Sequence, residues 1–148
     1  MNHDRPYPDG YIASILATVR TIAVVGASAD PLKDSHRVTL ALANAGYDVI
    51  PVNPRPGLTE IRDLKVFPSL AAIDRPVDMV DVFRPSAELL GIAEQAVAIR
   101  AAVLWAQIGI QDPQAARLAE AAGLKVVMDR CTKVELRRMR SRSDGEMS

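Results

Sequence analysis

Short apolar runs alternate with amphipathic stretches along the whole chain. A continuous apolar run is typical of a strand that is buried on both faces of a parallel sheet. Ile22–Val25 has this pattern, and four further mainly apolar segments are interpreted as strands: YDVIPVN, VDMVDVF, AVLWAQIG and LKVVMD. Before and between these strands, apolar residues recur at helical spacing, as in Tyr11–Val19. Strands that alternate with helices at these spacings predict right-handed crossovers and therefore one doubly wound α/β domain.

Polar residues, prolines and glycines indicate where the helices begin and end. The side chains expected to cap helices are Asp9, Ser35, Ser69 and Asp112. Gly46 is expected to stop the second helix. Two prolines and a glycine in residues 1–10 predict a loose N-terminal arm, residues 11–140 form the domain, and residues 141–148 read as a polar C-terminal tail.

Composition narrows the class of protein. The chain has 148 residues, which fits one domain, and its 18 Lys and Arg balance its 18 Asp and Glu. This balance argues against a whole-surface affinity for nucleic acid or for an anionic membrane, although a local basic patch stays open. The single cysteine, Cys131, excludes an internal disulfide framework and a multi-cysteine zinc site. Without a membrane-length apolar run or a secretory signal, we expect a cytoplasmic protein.

In a doubly wound sheet, ligands bind beyond the carboxyl ends of the strands, where the strand order reverses. Four loops are therefore candidates, and they are 26–37, 53–57, 83–86 and 107–112. The first begins at Gly26 and leads into the helix start Ser35-His36-Arg37. The free N–H groups and the dipole of such a helix start favour a phosphate or pyrophosphate. The plain alternative is a βα loop in which the glycine serves only the turn.

The first loop departs from the NAD fingerprint at its most diagnostic positions. Ser28 and Pro31 stand where that fingerprint has its second and third glycines, and no carboxylate ends the second strand. Arg55 lies there instead, which suits a phosphate on the ribose. NADP and coenzyme A both carry such a phosphate, so the residues alone leave both open.

Several segments in order resemble one family. VVGAS with Pro31, the Ser35-His36-Arg37 helix start, VIPVNP, VDMVDVFR, WAQIGI and VVMDRC are similar to the stand-alone CoA-binding domain family. These are small Rossmann-like proteins similar to the nucleotide-binding domain of succinyl-CoA synthetase α-subunits. The resemblance covers Thr21 to Cys131. It implies a Rossmann-like, doubly wound fold with a mainly parallel sheet of about five to six strands in a single domain.

The resemblance also implies a pose for coenzyme A. The pyrophosphate would lie against the first loop and the helix after it, at Gly26, Ala27, Ser28, Pro31, Ser35 and Arg37. Asn53 and Pro54 would lie near the adenosine, and Arg55 would face the 3′-phosphate. Phe83 and Arg84 end the strand beside the cleft. Trp105, Gln107 and Gly109 would line the pantetheine side. For Trp105 the alternative is a core position, with its indole N–H bonded to an acceptor.

The function that this predicts is binding of coenzyme A or an acyl-CoA without catalysis by this chain. The alternative is an NADP-binding oxidoreductase or a nucleotide-sensing module. We expect no metal, nucleic-acid or membrane ligand, and a homodimer or another protein partner stays open. No nucleophile accompanies His36, which reads as structural or as a phosphate contact. Cys131 reads as a small buried hydrophobe, with a place near the CoA sulfur as the alternative.

Two further groups of charged residues need an interpretation. The arginines of RRMRSR read as a solvated helix end. Asp78 and Asp81 lie three apart in one strand and therefore point to opposite faces, so one of them is expected to be buried.

Overall fold

The computed structural model describes the backbone of residues 1–147 and the side chains of residues 1–142. The strands are β1 (Thr21–Val25), β2 (Asp48–Val52), β3 (Glu60–Ile61), β4 (Leu64–Lys65), β5 (Met79–Val82), β6 (Val103–Ala106) and β7 (Lys125–Val127). The helices are α1 (Tyr11–Thr18), α2 (Asp34–Asn44), α3 (Ser86–Ala98), α4 (Pro113–Ala121) and α5 (Thr132–Met147), with a 3₁₀ turn at Leu70–Ala72. The backbone of residues 141–147, read above as a tail, continues α5, and Ser148 lies outside the described residues.

Five strands form one sheet in the order β2-β1-β5-β6-β7, and every neighbouring pair is parallel. This confirms the predicted doubly wound α/β fold, whose sheet was expected to have about five to six strands and has five. β3 and β4 form a separate antiparallel hairpin. The apolar runs are buried along their length, since all residues of β5 and β6 are buried.

The sheet divides the core into two apolar layers. On one face, Ala23, Val80 and Leu104 pack against α3 and α4. On the other face, Val24 and Trp105 pack against α1, α2 and α5. Alternate residues of each strand point to opposite faces, which places both layers around one sheet.

The predicted helix caps are half right. Asp112 accepts a hydrogen bond from the Gln114 N–H at 2.9 Å, and Ser69 accepts one from the Ala72 N–H at 3.3 Å, as expected. Asp9 and Ser35 were wrong choices. The N-cap of α1 is Gly10, and α2 begins one residue before Ser35, which is buried within the first turn.

The prediction of a loose N-terminal arm is wrong. The Tyr7 hydroxyl accepts a hydrogen bond from the Met128 N–H at 2.7 Å, and the Tyr11 hydroxyl accepts one from the Val126 N–H at 3.1 Å. Tyr11 also donates to the Val126 carbonyl at 2.9 Å. These hydroxyls occupy the open side of the edge strand β7 and its continuation, so the arm protects that edge from pairing with another chain. A tyrosine that reaches a distant strand has no local sequence pattern, which is why the arm read as loose.

No helix in the described part of the chain combines the length and the apolar character that crossing a membrane requires.

Candidate functional site

The strand order reverses between β1 and β5. From β1 the chain crosses to β2 on one side, and it then returns to β5 on the other side. Gly26 follows β1 and Phe83 follows β5, so both begin loops at the carboxyl edge of the sheet. This is the position where doubly wound sheets bind their ligands.

Two clefts open at this edge, one on each face of the sheet. The α3 cleft, of about 370 Å³, lies between the ends of β1, β2 and β5 and the helix α3, and its walls include Gly26, Asn53, Pro54, Arg84 and Glu88. The α5 cleft, of about 390 Å³, lies between the starts of α2 and α5. Its walls include Arg37, Phe83, Gln107, Ile108, Cys131 and Lys133. Both volumes fall within the range of ligand pockets.

Gly26 is required by two independent features. Its φ is +90°, a conformation that costs L side chains free energy. A Cβ atom at this position would also lie 3.0 Å from the Arg84 Cδ and 3.4 Å from the Phe83 carbonyl carbon. The space beside Gly26 is therefore filled by the protein's own Arg84, and the glycine lets the β1 and β5 ends approach each other.

The loop after β1 is held by side chains that reach its backbone. The Asn53 amide donates to the Ala27 carbonyl at 2.8 Å, and its oxygen accepts from the Arg55 N–H at 2.9 Å. The His36 Nδ1–H donates to the Ser28 carbonyl at 2.8 Å. These bonds fix the loop between the ends of β1 and β2 and the first turn of α2. His36 is buried and acts here in the structural role expected of it.

The remaining loop residues differ in exposure. Ala27 is fully buried, so only its backbone could reach a ligand. Ser28 is half-buried, and its hydroxyl accepts a hydrogen bond from the Asp30 N–H at 3.1 Å. Pro31 is exposed and lies beside the β3–β4 hairpin, outside both clefts.

The cationic side chains at this edge fall into two groups. Arg37 pairs with Asp34 at 2.6 Å, and Arg84 pairs with Glu88 at 2.9 Å, both on exposed surface. Arg55, Lys133 and Arg137 take part in no ion pair within residues 1–142. The last two of these line or border the α5 cleft, so that cleft carries uncompensated positive charge.

Beneath the α5 cleft lies a buried polar network. The Gln107 Nε2 group donates to the Asp81 Oδ1 at 2.6 Å and to the Thr132 Oγ1 at 2.9 Å. The Thr132 hydroxyl donates to the Asp81 Oδ2 at 3.0 Å. Asp81 is fully buried, and this desolvation raises the pKa of its carboxyl from its ordinary value of 3.8 to about 7, although both hydrogen bonds oppose the shift.

The two strand aspartates behave as the spacing indicates. Asp81 is the buried one, whereas half-buried Asp78 accepts hydrogen bonds from the Arg20 and Thr21 N–H groups at 2.9 Å each. These bonds fasten the start of β1 to the start of β5, which gives Asp78 a structural role at the opposite edge of the sheet.

Trp105 takes the core position, which was the alternative to lining the pantetheine side. Its side chain is fully buried in the layer under α5, and its indole N–H donates to the Arg130 carbonyl at 2.8 Å. Trp105 therefore supports the floor of the site and does not line it. Gly109 is exposed with a φ of +82°, and its N–H donates to the Asp129 carboxylate at 2.7 Å.

Sequence reasoning missed the α5 contribution to the site. Thr132 and Lys133 had no assigned role, and Arg137 was read as part of a solvated helix end. α5 begins beside β5 and β6 only in the folded chain, so no local pattern points to it. One sequence feature could have indicated this cleft, because Ile108 is an apolar residue in a predicted loop. In the structure its side chain is 68% exposed at the mouth of the α5 cleft.

Residues 20–137 match the protein family described as the CoA binding domain. YneT of Bacillus subtilis (strain 168), described as an uncharacterized protein, is 43% identical over 123 residues, which cover 83% of this chain and 90% of YneT. A hypothetical protein from Pyrococcus horikoshii OT3 has a similar structure, with a TM-score of 0.86 and 35% identity over 94% of this chain and 99% of that one.

A larger protein contains a similar domain. The dinucleotide forming acetyl-coenzyme A synthetase 1 of Ca. Korarchaeum cryptofilum matches with a TM-score of 0.61 and 26% identity. The match covers 72% of this chain but 25% of the synthetase, so it relates this chain to one part of that protein.

Proposed function

The chain belongs to the CoA-binding domain family, and from this premise we propose that it binds coenzyme A or an acyl-CoA along the carboxyl edge of its sheet. The observation that carries the proposal is the pair of clefts on either side of the β1–β5 switch point. A long ligand with a charged end and a flexible arm can follow this edge from one cleft to the other. The alternative of an NADP-dependent oxidoreductase is not favoured by the family match.

The proposed pose places each part of the ligand beside suitable chemistry. The adenosine and its 3′-phosphate lie near Asn53, Pro54 and Arg55, whose guanidinium has no anionic partner within residues 1–142. The pyrophosphate lies at the loop after Gly26, where the N-cap residue Lys33 of α2 makes no side-chain capping bond. The His36 and Arg37 N–H groups of that turn donate to the Lys33 carbonyl at 3.1 and 3.3 Å, which leaves the N–H groups of Asp34 and Ser35, within the described residues, for an anion.

The pantetheine arm lies in the α5 cleft. This cleft combines apolar walls, which include Phe83 and Ile108, with the buried amide of Gln107. Apolar walls with a few placed polar groups are typical of sites for organic cofactors. Cys131 was predicted to be a small buried hydrophobe, but it is half-buried and lines the same cleft, which supports the alternative of a thiol near the CoA sulfur.

The proposal is tested first by calorimetric titration of the ligand-free protein with CoA, acetyl-CoA, NAD and NADP. Saturable binding of CoA or acetyl-CoA without a response to the nicotinamide cofactors is the expected result. Binding of NADP without CoA would overturn the proposal, and so would silence from all four ligands.

The position of the 3′-phosphate is tested by Arg55→Ala. Loss of a charge-assisted contact costs about 1.5–3 kcal/mol, so CoA affinity should fall by about one to two decades. Dephospho-CoA, which lacks the phosphate, should lose little. Arg20→Ala is the matched control, because Arg20 is an exposed arginine before β1 at the opposite edge of the sheet. Equal losses for both ligands would place the 3′-phosphate elsewhere.

A further inference from the structure

The network under the α5 cleft fixes the direction of one amide group. Asp81, Gln107 and Thr132 are all buried, with exposed fractions of 0%, 4% and 0%. The Gln107 Nε2 group makes two hydrogen bonds, to Asp81 at 2.6 Å and to Thr132 at 2.9 Å. Because an amide nitrogen carries two hydrogens, these bonds use its full donor capacity.

The amide oxygen of Gln107 must then face the other way. It accepts no hydrogen bond from residues 1–142, yet no fully buried side-chain nitrogen or oxygen in that part of the chain lacks a partner. The oxygen is therefore accessible, and the opening beside Gln107 is the α5 cleft. The cleft thus presents a hydrogen-bond acceptor at its floor.

Asp81 is the member of the network that determines this direction. When it is ionised, the Asp81 carboxylate only accepts hydrogen bonds, so in that form it requires the nitrogen side of the Gln107 amide. The Thr132 hydroxyl both donates and accepts, and alone it would tolerate either orientation of the amide.

We propose that Asp81 is a positioning residue that holds the Gln107 amide oxygen toward the α5 cleft, where it accepts a hydrogen bond from an amide N–H or hydroxyl of the ligand's pantetheine arm. This inference rests on the proposed function. The arm contains two secondary amides and a hydroxyl, so it supplies the donors that an amide oxygen at the cleft floor selects.

Burial of the Asp81 carboxyl costs desolvation free energy, which an apolar side chain at this position would not lose. Among the side chains that the structure describes, no cation joins the network, and the carboxyl is wholly desolvated. Asp81→Leu removes the acceptor and leaves Thr132 to hold the amide in either orientation. Because leucine is larger than aspartate and leaves two donors without their acceptor, some loss of stability is expected, and the fold of the variant is checked directly.

The test compares two ligands by calorimetry. CoA carries the pantetheine arm, whereas 3′-phospho-ADP has the adenosine, the 3′-phosphate and the pyrophosphate but lacks the arm. Asp81→Leu should weaken CoA binding by about threefold to tenfold and leave 3′-phospho-ADP unchanged. Asp81→Asn keeps an acceptor for Gln107 but its amide also donates, so its loss of CoA affinity should lie between those of the unaltered protein and Asp81→Leu. Thermal unfolding of each variant checks that it is folded.

A double-mutant cycle separates positioning from a general effect. Gln107→Met should weaken CoA by about tenfold, and adding Asp81→Leu to it should cause no further loss. A further loss in the double variant would overturn the inference, and so would an Asp81→Leu variant with unchanged CoA affinity. If the unaltered protein binds 3′-phospho-ADP as tightly as CoA, the inference fails but the proposed function stands. If it binds neither CoA nor acetyl-CoA, the proposed function itself fails, and the inference fails with it.

Discussion

The two clefts of the carboxyl edge are built in different ways. The α3 cleft is shaped by residues that follow strands directly, with Gly26 after β1 and Asn53 after β2. The α5 cleft depends on Asp81, Gln107 and Thr132, which are separated by at least 25 positions in sequence and meet only in the folded chain.

The clefts also differ in charge. The cation of the α3 cleft, Arg84, is paired with Glu88 on exposed surface. The α5 cleft has a buried acid below and, on its wall, Lys133, which forms no ion pair with residues 1–142. The carboxyl edge of the sheet therefore combines a turn set by local sequence, in the α3 cleft, with a polar floor assembled by tertiary structure, in the α5 cleft. The stability of the α3 cleft should respond to backbone changes, and that of the α5 cleft to protonation.

The largest expected effect is that of pH on the free energy of unfolding. Because the pKa of Asp81 is about 7 in the folded protein and 3.8 ordinarily, the folded state binds the proton more tightly, so stability falls as pH rises between these values. This pKa difference corresponds to a decrease of roughly 4 kcal/mol in the free energy of unfolding, of which roughly 2–3 kcal/mol falls between pH 5 and pH 8. Denaturant unfolding at both pH values should show this decrease, and Asp81→Asn should remove it. Identical pH profiles for the two proteins would show that the carboxyl does not titrate in this range.

The next effect tests the α3 cleft. Gly26→Ala places a methyl group 3.0 Å from the Arg84 Cδ on a backbone with a φ of +90°. We expect a loss of about 2 kcal/mol in the free energy of unfolding. Gly57→Ala is the control, since Gly57 has a φ of +81° with open space around its Cβ position, and it should lose about 1 kcal/mol. Equal losses would mean that only the backbone conformation, and not the approach of Arg84, requires Gly26.

The α3 cleft was the more predictable of the two for a physical reason. Its features are glycine and asparagine at strand ends, and such residues act on their own backbone turns. The strands were predictable too, because a sheet covered on both faces needs continuous apolar runs. The helix N-cap at Asp112 followed from local hydrogen bonding in the same way.

The residues that escaped prediction depend on distant partners. Serine is a favoured N-cap residue, but Ser35 lies inside α2, because the N-cap of this helix is Lys33. Trp105 was placed beside the ligand by the family resemblance, with a core position as the alternative, and strand alternation turns it into the layer under α5. Tyr7 and Tyr11 anchor the arm to residues that lie more than a hundred positions away.

The smallest effect concerns the charge of the α5 cleft. Lys133 lines this cleft without an ion-pair partner in residues 1–142, so it is free to attract an anionic ligand. Such half-exposed charges contribute up to about 1 kcal/mol, which predicts that Lys133→Ala weakens CoA binding by no more than about fivefold. Arg138→Ala is the control, because Arg138 on the same helix pairs with Glu135 at 3.0 Å and lies outside the cleft. The loss at Lys133 should shrink in high salt, since mobile ions screen exposed charges. An equal loss in the Arg138→Ala variant would assign the effect to the overall charge of α5, and the α5 cleft would then differ from the α3 cleft in its buried network alone.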